Sequence, residues 1–122
     1  MAVTYTVAVK NARLSAVVSQ IGSTGVLEIG TAGMASILAT ITLNATAGTA
    51  ATGVLTFSGF PKSDTADATG TAAAARIRTA PGGTDIVTGL TVGTSGADII
   101  LDSVNITTGQ TVTINSASIT HA

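Results

Sequence analysis

The chain has no cysteine, no tryptophan, two prolines and only three aromatic residues among its 122 positions. Without cysteine, neither disulfide bonds nor thiolate chemistry is possible. So few aromatic rings argue against a carbohydrate-binding face. There is also no alternation of basic and aromatic residues of the kind that binds single-stranded nucleic acid. These absences narrow the function to chemistries and contacts that need neither thiols nor stacking platforms.

Charge is also scarce. Charged residues make up 9% of the chain and the net charge is −1, whereas ordinary soluble domains contain about 25% charged residues. We therefore expect no nucleic-acid partner and no anionic membrane partner. No apolar run approaches the roughly 20 residues of a membrane span. The N-terminal stretch MAVTYTVAVK lacks the basic region and long apolar core of a secretory signal, so we expect synthesis in the cytoplasm.

One segment near the N-terminus has the pattern of a helix. Between Thr6 and Gly22 the large apolar residues recur near helical spacing, with Lys10 and Arg13 on the other side. Thr6 can cap the N-terminus and Gly22 can follow the C-terminus. The alternation from Val3 to Val9 leaves a strand as the alternative. We favour a helix over residues 6–21.

The rest of the chain breaks into short apolar segments separated by glycine and small polar residues. This rhythm of about eight to twelve residues is typical of a sandwich or a barrel. In the last segment the apolar side chains change phase between Asn115 and Ser118, which requires a bulge. We predict strands in 26–30, 34–43 and 54–59 and short β segments in 91–93, 97–103, 105–107 and 111–121. We also predict a flexible connection in 44–53, a polar loop in 61–70 and a hairpin turn in 93–96.

The run TAAAARIRT, followed by Ala80-Pro81-Gly82-Gly83, decides how much of the chain is β. Alanine favours helices, but about ten residues between breakers make only a marginal helix. We predict instead a hairpin with the segment that begins at Asp85. The expected fold is mainly β, a single antiparallel β-sandwich or jelly-roll-like domain over residues 26–121 with one short N-terminal helix. Residues 1–122 then form one domain.

That hairpin places Arg76 and Arg78 on the same face of one strand, opposite Asp85. They could form a cross-strand ion pair, which stabilises a sheet by a few tenths of a kcal/mol. They could equally anchor a protein interface, where arginine is enriched. Both interpretations stay open, and Arg76 and Arg78 are the candidate interface residues.

No other residues assemble into a convincing site. His121 has no evident group to orient it and is expected to be solvated or at an interface. Asp98 and Asp102, about 13 Å apart along a strand, are too far apart for a glycosidase pair. Asp64 and Asp67 could help to bind a cation, but a solvated loop is favoured since no bidentate glutamate follows. We predict no catalytic residue, no metal and no cofactor.

The segments GTAGMASILATITL, ATGTAAAARIR and TSGADIILDSVNITTGQTV resemble small virion structural proteins of tailed bacteriophages. The resemblance extends over nearly the whole chain. It implies a head decoration (cement) protein or an accessory protein of the tail or baseplate, and it carries no catalytic residues to transfer. The partners implied are the major capsid protein, or tail proteins in the alternative, with the chain made in the host cytoplasm and located in the virion.

A structural function of this kind agrees with the sparse charge and the many small side chains. Subunits of such a lattice commonly lie at local symmetry axes, so a homo-oligomer, a dimer or a trimer, is expected. The leading hypothesis is a capsid decoration protein that binds and stabilises the shell. The alternative is a tail, fibre or baseplate accessory protein that acts as an adaptor or binds the host surface. A cell-wall or glycan hydrolase is disfavoured because no plausible carboxylate pair or metal set is found.

Overall fold

A computed structural model of the chain describes residues 5–120, which form one α-helix, a short 3-10 turn and eleven strands. The large β content agrees with the predicted fold class. The bounds of the elements are α1 Val7–Ile21, β1 Val26–Gly30, the 3-10 turn Ala32–Met34, β2 Ile37–Thr42, β3 Gly48–Ala51, β4 Val54–Phe57, β5 Lys62–Thr65, β6 Gly70–Thr71, β7 Ala74–Arg78, β8 Asp85–Gly93, β9 Ile99–Leu101, β10 Asn105–Ile106 and β11 Thr111–Thr120.

The predicted N-terminal helix is confirmed, and its ends follow from local capping. The side chain of Thr6 accepts a hydrogen bond from the backbone of Val9, and the helix ends at Gly22, whose φ is +74° and whose N–H donates to the carbonyl of Val18. A glycine tolerates this left-handed conformation without a steric cost. The alternative strand is therefore wrong for its described part, since Val7, Ala8 and Val9 are helical.

Nine of the strands form one curled sheet in the order β2-β1-β7-β8-β9-β11-β4-β3, with β5 also paired to β11. The sheet is rich in antiparallel pairs and gives a β-sandwich-like domain. Its curl brings β2 into contact with β5, and the backbone N–H of Asp67 donates to the carbonyl of Leu38 over 2.7 Å. The helix α1 contacts β3, β4 and β8. Both terminal strands of the sheet therefore have a neighbouring segment.

The hairpin predicted for the alanine run is confirmed, because β7 pairs antiparallel with β8. Ala75 and Ile77 are buried, whereas Ala74, Arg76 and Arg78 are partly exposed, as strand alternation requires. The phase change predicted for β11 is confirmed as well. Its register to β9 shifts between Ile114 and Ser116, so that the buried positions move from Ile114 to Ala117.

Two segments predicted to be irregular each contain a strand. Within residues 44–53, β3 pairs with β4 through a two-residue turn whose central residues, Thr52 and Gly53, both have positive φ. Within residues 61–70, β5 pairs with the start of β11. Both segments consist of small and polar residues with weak local strand signals. Their pairing partners supply the backbone hydrogen bonds that the local sequence does not predict.

The hairpin turn predicted at residues 93–96 is wrong. The strands on either side of it, β8 and β9, pair in parallel, with Val92 opposite Ile99 and Gly93 opposite Ile100. The chain therefore makes a tight loop through Gly96, whose φ is +64°. Asp98 links the two ends of this loop. Its carboxylate accepts hydrogen bonds from the backbone N–H and the hydroxyl of Thr91, each over 3.1 Å.

One contiguous hydrophobic cluster forms the core. It is built mainly from aliphatic side chains of both halves of the sheet, with Leu14 and Ile21 added from α1. The largest fully buried side chains are Ile21, Leu27, Ile29, Leu38, Leu55, Ile77, Ile99, Leu101, Val112 and Ile114. In the part of the chain from 5 to 120, no helix has both the length and the hydropathy to cross a bilayer.

Candidate interaction site

The two arginines of β7 lie on the face of the sheet that points away from the core. Arg76 stands directly opposite Glu28 on β1, and Arg78 stands opposite Val26. On the other side of β7, Arg78 is opposite Asp85 of β8. We call the surface formed by Glu28, Arg76, Arg78 and Asp85 the arginine face. It holds four of the eleven charged residues of the chain.

Ion pairs connect these four side chains across three strands. The Nε atom of Arg76 donates a hydrogen bond to Oε1 of Glu28 over 2.6 Å. The same oxygen lies 3.8 Å from Nη1 of Arg78. The Nε atom of Arg78 lies 2.7 Å from Oδ1 of Asp85, yet it is not aligned for a hydrogen bond and has none. Geometry therefore fixes Arg76 more firmly than Arg78.

The carboxylate of Glu28 lies beneath the guanidinium groups. Glu28 is 6% exposed and is the buried charged residue of the described chain, whereas the side chains of Arg76 and Arg78 are 22% and 21% exposed. The pKa of Arg76 is raised, mainly by its hydrogen bond to Glu28. Desolvation lowers this pKa in part, and the negative charges of Glu28 and Asp85 raise it further. Arg76 is thus a permanent cation in a fixed orientation.

Within residues 5–120, the main contacts of β1 and β7 are with strands of their own sheet and with one short turn. The strands β1 and β7 contact each other, their sheet neighbours and the 3-10 turn at Ala32–Met34. The helix α1 packs on β3, β4 and β8 instead. Uncharged residues of β2, Thr40 and Thr42, continue the same face beyond β1. The four charged side chains of the arginine face therefore border a neutral strip on β2.

Of the two interpretations left open for Arg76 and Arg78, the cross-strand ion pair is found, between Arg78 and Asp85. Sequence reasoning missed Glu28, although it stands alone between the apolar residues Leu27 and Ile29. The pairing of β1 with β7 joins positions 48 residues apart, and nothing in the local sequence indicates that separation. The function of Arg76 and Arg78 as interface anchors stays a prediction.

The other sequence candidates do not converge. Asp64 lies on β5, paired with Val112, rather than in a loop. The hydroxyl of Thr69, a proposed partner of Asp64 and Asp67 in cation binding, instead contacts the hydroxyl of Thr108 over 3.1 Å. Between residues 5 and 120, no three histidine or acidic side chains are grouped as a metal ion requires.

The acidic pair Asp98 and Asp102 flanks β9, and Asp98 is engaged with Thr91. His121 lies outside the described residues.

A second surface feature is a shallow, open depression of about 230 Å³ between β2 and β5, lined by Ile41, Thr42, Lys62, Ser63 and Asp64. The amine of Lys62 at its rim donates to the side chain of Asn44 over 2.7 Å.

Comparison with known proteins identifies no relative. No protein-family model matches the chain, and neither the curated proteins nor the solved structures contain a significant match to it. Function must therefore be inferred from the surfaces of the chain itself, of which the arginine face is the most sharply defined.

Proposed function

We propose that this chain is a structural component of a tailed-bacteriophage virion, a decoration protein that binds the capsid shell and holds adjacent major capsid subunits together. Its work is done by binding energy alone. A domain that contacts two neighbouring shell subunits stabilises the particle, because separating them under internal DNA pressure also requires breaking the contacts to the decoration protein.

The observation that carries this proposal is the arginine face, in which the side chains of Arg76 and Arg78 are partly exposed. Arginines in fixed orientation on a rigid sheet lose little side-chain entropy when a partner binds, which favours recognition. Here Nε of Arg76 lies 2.6 Å from Oε1 of Glu28, and the Arg76 side chain remains 22% exposed. The sparse charge elsewhere and the resemblance to phage virion proteins support the same assignment.

Copy number in the virion tests the proposal. Purified particles of the phage that encodes this chain are analysed by quantitative mass spectrometry, with the major capsid protein as the internal standard. A decoration protein is expected at hundreds of copies per particle. A few dozen copies would contradict a shell location and support the tail, fibre or baseplate alternative, whereas absence from particles would overturn both.

Particle stability tests the mechanism separately. Particles that lack the chain are expected to release their DNA at a lower temperature than complete particles, and added purified protein should restore the original temperature. Particles that retain DNA equally well with and without the chain would show that it does not clamp the shell, even if its copy number were high.

A further inference from the structure

We infer that the arginine face binds a carboxylate side chain of a protein partner, with the terminal nitrogens of Arg76 as the principal donors. This inference deepens the proposed function, because it names the chemistry of the contact through which the chain would hold its partner. Its test below uses the purified chain alone, so it succeeds or fails independently of the virion assignment.

The hydrogen bonding of Arg76 leaves the required donors available. A guanidinium group has five N–H donors, and its two Nη groups form an edge that matches a carboxylate bidentately. In Arg76 the Nε donor is taken by Glu28, and neither Nη forms a hydrogen bond to another residue within 5–120. The bond at Nε therefore orients the Nη edge without occupying it.

The position of Glu28 is hard to explain by stability alone. A buried ion pair commonly stabilises a protein no better than apolar residues of similar size, because both charges must be desolvated. Yet Glu28, at 6% exposure, lies between two fully buried residues of β1. Its effect in this structure is to fix the orientation of Arg76 and to bring Arg78 within 3.8 Å of the same oxygen.

The surroundings favour a protein carboxylate over a nucleic-acid phosphate. The four charges of the arginine face sum to zero, and the net charge of the whole chain is −1. A polyanion gains most of its affinity from a broad excess of positive charge, which is absent here. A single carboxylate needs only one oriented guanidinium edge, which the two Nη groups of Arg76 supply.

The experiment follows the arginine side-chain N–H resonances of the purified protein by NMR during titration with a peptide of six glutamates. A peptide of six glutamines is the uncharged control. Arg13 on α1, whose guanidinium lies over the Tyr5 ring, is the internal control for non-specific attraction. We expect saturable shifts at Arg76 and smaller ones at Arg78 with the glutamate peptide only, which weaken as salt is added.

Substituted proteins distinguish binding by the two-nitrogen edge of the guanidinium group from binding by positive charge alone. Arg76→Lys keeps a cation next to Glu28 but removes the bidentate edge, so affinity for the glutamate peptide should fall at least fivefold. Arg13→Lys is the matched control and should leave affinity unchanged. Melting curves establish that both variants fold; if Arg76→Lys does not, Arg78→Lys gives the second test, with a smaller loss expected.

Three outcomes would overturn the inference. One is an Arg76→Lys variant that binds the glutamate peptide as well as the parent chain. Another is a titration in which the Arg13 resonances move as much as those of Arg76. The third is tighter binding at Arg76 of a single-stranded oligonucleotide than of the peptide, which would assign the face to phosphate instead.

Discussion

The side chain of Ile21, the last residue of α1, packs directly against the backbone of Gly25, the residue before β1. Its Cγ2 atom occupies the space that a Cβ atom on residue 25 would need. Ile21 is 1% exposed, and its packing fixes how closely the end of the helix approaches the sheet. This close approach explains why a glycine precedes β1.

Gly25→Ala should therefore destabilise the protein through overpacking. Such changes typically cost about 1–3 kcal/mol, because side chains and backbone must shift to admit the new atom. Chemical denaturation measures the loss. The double variant Ile21→Ala/Gly25→Ala is the control, since removing Cγ2 vacates the space. Its destabilisation should be clearly less than the sum of the two single changes, and simple additivity would refute the packing explanation.

Asp98 should be the residue that holds the parallel pairing of β8 and β9. Its carboxylate accepts two hydrogen bonds from Thr91, and its own N–H donates to the Thr91 hydroxyl over 3.0 Å. Asp98→Ala removes the two carboxylate bonds and should cost about 1–2 kcal/mol. It should also speed hydrogen exchange at the Thr91 N–H.

Asp102→Ala is the matched control, because Asp102 lies at the other end of β9 and is exposed. It removes the same charge and should leave the Thr91 exchange rate unchanged. Equal effects of the two substitutions on that rate would show that net charge, not the hydrogen bonds, stabilises the loop.

Thr52 is a strained residue whose replacement should stabilise the protein. Its φ is +51°, next to Gly53 at +76°, and a β-branched side chain is unfavourable in this conformation. The two-residue turn between β3 and β4 is of the kind that Asn-Gly favours. Thr52→Asn should raise the free energy of unfolding by about 0.5–1 kcal/mol, measured by denaturation.

Thr56→Asn is the control for Thr52→Asn, because Thr56 lies in β4 with ordinary strand geometry and is exposed. Asparagine is unfavourable in strands, so this change should be neutral or destabilising. If the free energy of unfolding of Thr52→Asn were no higher than that of the parent chain, the positive φ of Thr52 would not destabilise the turn.

The two carboxylates of the arginine face should differ in their contribution to stability. Glu28→Gln removes the buried carboxylate that pairs with Arg76. The carboxylate of Asp85 is 42% exposed, so solvent screens its ion pair with Arg78. Asp85→Asn should therefore cost about 0.5 kcal/mol or less. Glu28→Gln should lower the melting temperature by more than Asp85→Asn does, and the reverse order would contradict the burial argument.

The raised pKa of Arg76 adds a prediction about pH. A basic group with a raised pKa in the folded state stabilises fully at every pH below its unfolded pKa, and that stabilisation is lost only as pH rises through the folded pKa. The difference in melting temperature between Glu28→Gln and the parent chain should therefore be the same at pH 7 and pH 10. A difference that shrinks by pH 10 would mean that Arg76 loses its proton early.

Several elements could be predicted from the sequence because their signals are local. The cap at Thr6 and the glycine at position 22 define α1. The Pro-Gly-Gly turn and the alternation of Ala75, Arg76 and Ile77 define the β7–β8 hairpin. Short-range sterics and strand alternation act within a few residues in these cases, so no distant part of the chain is needed to recognise them.

The errors have the opposite origin. The strands β3 and β5 consist of small and polar residues, and they are strands because β4 and β11 offer them paired backbone groups. The parallel pairing of β8 with β9 is accompanied by side-chain hydrogen bonds between Thr91 and Asp98, which no local turn signal indicates. Context of this kind outweighs intrinsic strand preference.

The sequence by itself determined a mainly β fold with one helix. It also placed Arg76 and Arg78 on the same face of one strand, because a strand alternates its side chains whatever it pairs with. Only the tertiary structure decided that Glu28 lies beneath them. That contact arises from the pairing of β1 with β7 across 48 positions, and strand pairing at such separations is set by how the whole core packs.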